Sequence, residues 1–232
     1  MRPYTDTYQK TMIQLHGKPL LEYIISGISK AGNKDFIIVV GYRKEQIIDH
    51  FQNGSKWGIN IEYIEQKVLD GTGGALLLCE NSIKDHHFFL TWGDTLISYK
   101  IYKKVFDAYY NEGSDLIMVS NYVEDPFKGA AIYCEGDYCL DIVEKPLKGT
   151  SGTNLNNTGI FILTKDIFEI LKSQEPSKRG EIEVPIALRT AIKEKRWRFR
   201  VIKIERNQFM GDFGDVNDYE RYKNDIDWVK LL

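Results

Sequence analysis

Two aspartates stand where a chain could hold a cation against phosphate. Asp94 closes the run Phe88-Phe-Leu-Thr-Trp-Gly-Asp94, and Asp212 lies between glycines in Met210-Gly-Asp-Phe-Gly214. A carboxylate at the end of a strand suits Mg2+, which keeps several waters and binds substrate phosphates through one or two carboxylates. Two such acids from distant segments could share one ion, and either could instead cap a turn or a helix. Gly71-Thr-Gly-Gly-Ala75 leads into a helical segment, where glycines either let backbone approach a ligand or make a tight turn. Neither G-x-G-x-x-G nor G-x-x-x-x-G-K-[ST] occurs, so the dinucleotide and P-loop signatures are missing. Glu144-Lys145-Pro146 joins an acceptor for sugar hydroxyls to a point charge for a phosphate, or is an ordinary surface pair before a turn. Asn154, Asn156 and Asn157, ahead of Gly159, offer amides to a hydroxyl-rich ligand or serve turn chemistry. The four histidines show no metal spacing, and Cys79, Cys134 and Cys139 match no zinc pattern and read as small apolar residues.

The elements that must position these residues follow from apolar periodicity. Leu20, Leu21, Ile24, Ile25 and Ile28 form a helical stripe behind Pro19. Phe36 to Val40 and His87 to Thr91 read as fully buried strands, Ile59 to Ile64 as an alternating one, and Ile47 to Phe51 as a helix. Four such alternations predict a mostly parallel sheet with helices on both faces, with ligands bound beyond the carboxyl ends of the strands. After about residue 125, short strands at Ala130 to Tyr133, Leu140 to Val143 and Gly159 to Leu163 suggest a smaller antiparallel or mixed sheet. Ile167 to Leu171 and Val184 to Ile192 read as helices, and Phe199 to Ile204 as a late strand.

Composition narrows the function classes. The chain has 232 residues and is 43% hydrophobic and 28% charged, which excludes disordered and fibrous classes. Its formal charge of −2 gives no electrostatic case for nucleic acid or an acidic membrane as partner. No apolar run is long enough to span a bilayer, and no secretion signal opens the chain, so a cytoplasmic location is expected.

Taken in order, these motifs resemble those of the sugar-1-phosphate nucleotidyltransferases, the nucleotide-sugar pyrophosphorylases, over essentially the whole chain. Arg2-Pro-Tyr-Thr, Lys10-Thr-Met12 and Gly17-Lys-Pro-Leu-Leu-Glu-Tyr23 are similar to the family's opening segments. Gly41-Tyr42, Glu65-Gln66 and Gly71-Thr-Gly-Gly-Ala75 resemble its nucleotide-base side, and Trp92-Gly-Asp94 its metal motif. Gly129, Glu144-Lys-Pro146, Asn154 to Phe161, Gly180-Glu-Ile-Glu183 and Gly211-Asp-Phe-Gly214 complete the series.

The resemblance implies a Rossmann-like, GT-A-like α/β domain with a small antiparallel sugar-binding lobe. Residues 1–125 would form a nucleotide-binding half and residues 126–232 a sugar-phosphate-binding half, with no C-terminal β-helix domain. The implied reaction joins an NTP, with dTTP or UTP favoured, to a hexose 1-phosphate. Asp94 and Asp212 would hold Mg2+, Lys10 would face the triphosphate, and Lys145 would pair with the sugar's phosphate. Gln66, Gly71, Thr72 and Gly93 would bind the nucleotide, and Gly129, Glu144, Asn157 and Gly159 the sugar.

Three departures from the family carry expectations. Thr11 in place of Pro should loosen the backbone beside Lys10. Met210 and Asp215, in place of an aromatic residue and Thr, should alter the pocket near Asp212. The chain begins after the family's first strand and Gly-rich loop, so weak nucleotide binding, poor solubility or a homo-oligomer is expected of it. Two alternatives stay open at this level: a non-catalytic sugar-phosphate-binding homologue, and a GT-A glycosyltransferase, which would more often show an Asp-x-Asp motif.

Overall fold

The computed structural model describes residues 1–232. In chain order the elements are β1 (Gln14–Leu15), β2 (Lys18–Pro19), α1 (Leu20–Lys30), β3 (Asp35–Val40), α2 (Lys44–Phe51), β4 (Asn60–Glu65), α3 (Thr72–Leu77) and β5 (His87–Thr91). Then follow β6 (Thr95–Ile97), α4 (Tyr99–Glu112), β7 (Ile117–Tyr122), β8 (Ala130–Glu135), β9 (Tyr138–Glu144) and β10 (Leu155–Thr164). The chain closes with α5 (Ile167–Ser173), α6 (Val184–Lys193), β11 (Arg200–Lys203), β12 (Met210–Asp212) and α7 (Val216–Asn224). They fall into two compact units, one of Met1–Glu65, Trp92–Phe106 and Asn207–Leu232, the other of Gln66–Thr91 and Asp107–Arg206. The expected halves, 1–125 and 126–232, divide roles, whereas these units interleave along the chain.

In the first unit, the apolar stripe on α1 is buried as its spacing predicts, from Leu20 to Ile28. Gly32, at φ +120°, takes a left-handed conformation just past the helix end, where a side chain would be strained. β3 and β4 pair in parallel over six residues, from Asp35↔Asn60 to Val40↔Glu65. Leu21 and Ile25 pack with Met12, Val40, Ile47, Phe51 and Ile59 into one core. Within β3 only Val40 is buried; Phe36 to Val39 are half-buried, so the strand is less enclosed than its apolar run suggested.

The second unit is built on a six-stranded mixed sheet in the order β5-β10-β7-β11-β9-β8. Parallel pairing there is confined to β7·β11, and β5·β10, β10·β7, β11·β9 and β9·β8 are antiparallel. The architecture is the expected mixed α/β one, with less parallel pairing than four βα alternations implied. The separate small sheet expected after residue 125 is corrected: β8, β9 and β10 lie in the same sheet as β5 and β7. The reason is β10, ten residues long, whose Asn-Gly stretch reads as a turn but is an irregularity inside the strand. Its register against β7 shifts between Asn157 and Phe161, and Gly159, at φ +74°, supplies the left-handed residue there. The Thr158 hydroxyl donates to the Val119 carbonyl at 2.9 Å, so the interruption keeps its polar groups paired. No helix is long and apolar enough to cross a membrane.

Candidate active site

Lys10, Asp94 and Asp212 converge in the first unit. β12 pairs antiparallel with β6, setting Asp212 opposite Thr95, the residue after Asp94. The Phe213 amide donates to the Asp94 carbonyl at 3.1 Å, which clamps the two acid-bearing turns together. Lys10 Nζ donates to Asp94 Oδ2 at 2.5 Å, with both side chains about one-third exposed (30% and 32%). Burial pushes the Asp212 carboxyl up, and the nearby Asp94 charge adds to the shift, against the Gly214 amide, which donates to Asp212 Oδ1 at 2.8 Å.

Two like charges held this close are a poor arrangement unless a cation serves both. Two carboxylates do not make a closed metal cage, and no cluster of three or more His, Cys, Asp or Glu side chains is assembled here or elsewhere. The donor set fits Mg2+, which takes its remaining ligands from phosphate and water.

One expectation about this unit is corrected. Thr11 does not loosen the backbone: Gln9 Oε1 accepts from both Thr11 N at 2.6 Å and Thr11 Oγ1 at 2.7 Å, fixing the turn that carries Lys10. Asp215 caps α7, its Oδ1 accepting from Asn217 N at 2.9 Å and Asp218 N at 3.1 Å. Gly93 does not need to be glycine for backbone reasons, since a Cβ there would make an ordinary 3.5 Å contact with Thr11 Cγ2.

In the second unit β9 delivers Glu144 and Lys145. Lys145 adopts φ +42°, a left-handed conformation unusual for a residue with a side chain, and its amide donates to the Gly129 carbonyl at 2.7 Å. Gly129 leaves room for Asn156: a Cβ there would lie 2.3 Å from Asn156 Oδ1, so that side chain would have to shift. The Asn156 amide donates to Asn121 Oδ1 at 3.2 Å and to the Asn157 carbonyl at 2.9 Å. Asn157 Oδ1 accepts from the Gly159 amide at 2.9 Å, so Asn157 braces the irregular turn of β10.

Glu144 shares its surroundings with Glu183 and Arg179. The guanidinium pairs closely with Glu183 and lies 3.4 Å from Glu181 and 3.7 Å from Glu144. Burial, and then the Glu183 charge, push the Glu144 carboxyl up to about 7. Glu183 moves the other way: burial would raise it, but hydrogen bonds from Ser177 and Arg179 hold it below the usual carboxylate range. Sequence reasoning placed Glu183 in a motif and Arg179 beside it, but assigned neither a site role. Cys134 and Cys139 face one another across the β8·β9 pairing, and burial raises both thiols, Cys139 to about 12. They stay protonated, in keeping with the apolar reading.

The Glu144 shift has a measurable sign. Its folded pKa lies above the unfolded value, so its contribution to stability is full below about 4.5 and is lost as pH rises through about 7. Glu144→Gln is expected to flatten the fall in Tm between about pH 5 and 8, followed by thermal melts across that range. An unchanged slope would show an ordinary carboxyl.

Gln66, Gly71 and Thr72 come together around the loop that enters α3. Gln66 Nε2 donates to Asp70 Oδ1 at 2.8 Å and to the Gly71 carbonyl at 3.3 Å. Thr72 Oγ1 accepts from the Val184 amide at 3.1 Å, so this hydroxyl also ties the loop to α6. Gly71 sits at φ +98°, and a Cβ there would lie 2.4 Å from the Ile182 carbonyl oxygen. Gly71→Ala is therefore expected to cost about 1–3 kcal/mol from backbone strain alone, and more where the loop cannot move. Chemical denaturation would read this as a lower midpoint; a wild-type midpoint would contradict the geometry.

A sequence profile of the family described as nucleotidyl transferase matches residues 1–227. The chain is 34% identical over 215 residues to the bifunctional protein GlmU of Methanococcus aeolicus, covering 92% of this chain and 48% of that one. It is 30% identical over 198 residues to the UTP–glucose-1-phosphate uridylyltransferase AglF of Haloferax volcanii, covering 84% and 80%. A crystal structure of UDP-glucose pyrophosphorylase complexed with UDP-glucose superposes with a TM-score of 0.84 at 30% identity, covering 97% and 92%. The chain spans about half the length of the GlmU proteins that it matches.

Proposed function

The chain belongs to the nucleotidyl transferase family, and from that premise we propose that it joins a nucleoside triphosphate to a sugar 1-phosphate. A phosphate oxygen of the sugar phosphate attacks the α-phosphorus in line, the bond from that phosphorus to the bridging α–β oxygen breaks, and pyrophosphate leaves. Little covalent work falls to the protein in such a transfer, so positioning and charge neutralisation carry it. The observation that supports this reading most is the convergence of Asp94, Asp212 and Lys10, two acids and a cation drawn from three separate stretches of chain.

Asp94 and Asp212 would hold Mg2+, which when bound supplies positive charge to the phosphates. Lys10 exchanges its contact with Asp94 for the triphosphate. Lys145 takes the phosphate of the incoming sugar. Glu144, with Gly129, Asn157 and Gly159, receives the sugar hydroxyls. Gln66, Gly71, Thr72 and Gly93 receive the nucleotide. UTP with a hexose 1-phosphate is the favoured pair, a reading supported by two relatives at 30% identity, AglF and the UDP-glucose pyrophosphorylase, whose names specify a uridine nucleotide. The cytoplasm, where these substrates are made, is the corresponding location.

Pyrophosphate release, followed with a coupled assay, should require UTP, a hexose 1-phosphate and Mg2+ together. Release from UTP alone at the same rate, or none with any NTP and sugar phosphate pair, would contradict the proposal.

A further inference from the structure

The side-chain amide of Gln66 is held in one orientation. Both groups that its Nε2 reaches, Asp70 Oδ1 at 2.8 Å and the Gly71 carbonyl at 3.3 Å, are acceptors only. Turning the amide over would set its oxygen against a carboxylate and a carbonyl, so the nitrogen must face inward. That leaves Oε1 on the opposite side as an acceptor. Asp70 is itself fixed. Its backbone carbonyl accepts from Ile182 N at 2.7 Å, and the Ile182 carbonyl accepts from Gly73 N at 2.8 Å. Its carboxylate rests against Gly74 so closely that a Cβ there would lie 2.0 Å from Oδ1. Glycine at 74 is what admits the carboxylate.

Resting on the reading of Gln66 as a nucleobase contact, we propose that Asp70 is a specificity-determining positioning residue that presents Gln66 Oε1 to nucleobases with a protonated ring nitrogen. Uracil and thymine at N3, and guanine at N1, donate an N–H to that oxygen. Cytosine at N3 and adenine at N1 present a lone pair instead, and two acceptors face one another. Discrimination arises because the amide cannot turn over to donate. Without Asp70 it can, and cytosine gains a partner. Asp70 touches no substrate in this scheme.

The test compares dissociation constants of UTP and CTP, by calorimetry, for the wild type, Asp70→Ala and Asp70→Asn, beside turnover with glucose 1-phosphate. Asp70→Ala is expected to shrink the UTP-to-CTP preference by about 10-fold, the scale of one hydrogen bond made or lost, while the KM for glucose 1-phosphate stays unchanged. Asp70→Asn keeps the shape and an acceptor but adds a donor that tolerates the turned amide, so its preference should fall between the other two. Loss of UTP and CTP binding by the same factor would mark a merely structural residue and overturn the proposal. A wild type that binds CTP as well as UTP would also overturn it, while leaving the nucleotidyl transfer reading standing if turnover persists. A wild type that binds no NTP and turns none over would overturn both. The Gln66 side-chain NH2 resonances give a readout independent of activity. Their two proton shifts are expected to be displaced from those of a free glutamine amide in the wild type, where Asp70 and the Gly71 carbonyl accept from Nε2, and to move towards the free values in Asp70→Ala; identical spectra would contradict the lock.

Discussion

Asp212→Asn is expected to lower turnover roughly 1,000-fold, equivalent to several kcal/mol of lost transition-state stabilisation, while the protein stays folded. Asp94→Asn should do the same to activity. Stability separates this outcome from simple unfolding. The Asp212 carboxyl is raised by burial and by Asp94, so the folded state binds a proton there more tightly than the unfolded chain. Its contribution to stability is therefore present at low pH and lost as pH rises through its folded pKa. A neutral amide removes the repulsion, and the Tm of Asp212→Asn at pH 7 should equal or exceed that of the wild type. Asp94→Asn deprives Lys10 of its partner, but both groups are partly exposed and the pair contributes little. Steady-state rates and melting curves on the same preparations would check both statements. Wild-type rates in either variant would remove that acid from the site.

The second large effect belongs to Lys145. Lys145→Ala should raise the KM for the sugar phosphate by about 10- to 150-fold, the value of one charge-assisted contact, and leave the KM for NTP nearly unchanged. The geometry gives the asymmetry its basis. Lys145 stands at φ +42° immediately after Glu144, with its amide tied to Gly129, so its backbone is set among the residues proposed to serve the sugar. Alanine bears the same backbone strain, which keeps the comparison to the ammonium group alone. Lys145→Arg should recover part of the loss, since it restores charge but not the compact ammonium. If only the NTP term moved, Lys145 would serve the nucleotide instead.

Much of this was legible in the residues. The stripe from Leu20 to Ile28 marked α1, because burial at a fixed period leaves a direct trace. The apolar runs located β3 and β5 but overstated their burial, since β3 buries only Val40 and β5 is half-buried throughout. Asp94 and Asp212 could be singled out from glycine-flanked turns. Their meeting rests on the β6·β12 pairing, three residues from each strand, too short a pattern to read. β10 was cut short because Gly159 and the asparagines carry the signature of a turn, and only its neighbours show that the strand continues through them. The shift at Glu144 had no local signal, since it comes from burial in the folded chain and then from the charge of Glu183, far along the sequence, with the Arg179 guanidinium opposing it. The substitution of Thr11 for proline misled for a similar reason. Gln9, two residues earlier, restores by hydrogen bonds the rigidity that a ring would have given.

The central claim is that the α-phosphoryl group, with its nucleoside, passes to the sugar phosphate. Parallel reactions with UTP labelled with 32P at the α or at the γ position, each with glucose 1-phosphate and Mg2+, test it most directly. The α label should appear in the nucleoside diphosphate sugar and the γ label in pyrophosphate, in equal amounts. The γ label in a sugar bisphosphate, or in free phosphate with the α label left in UDP, would contradict it.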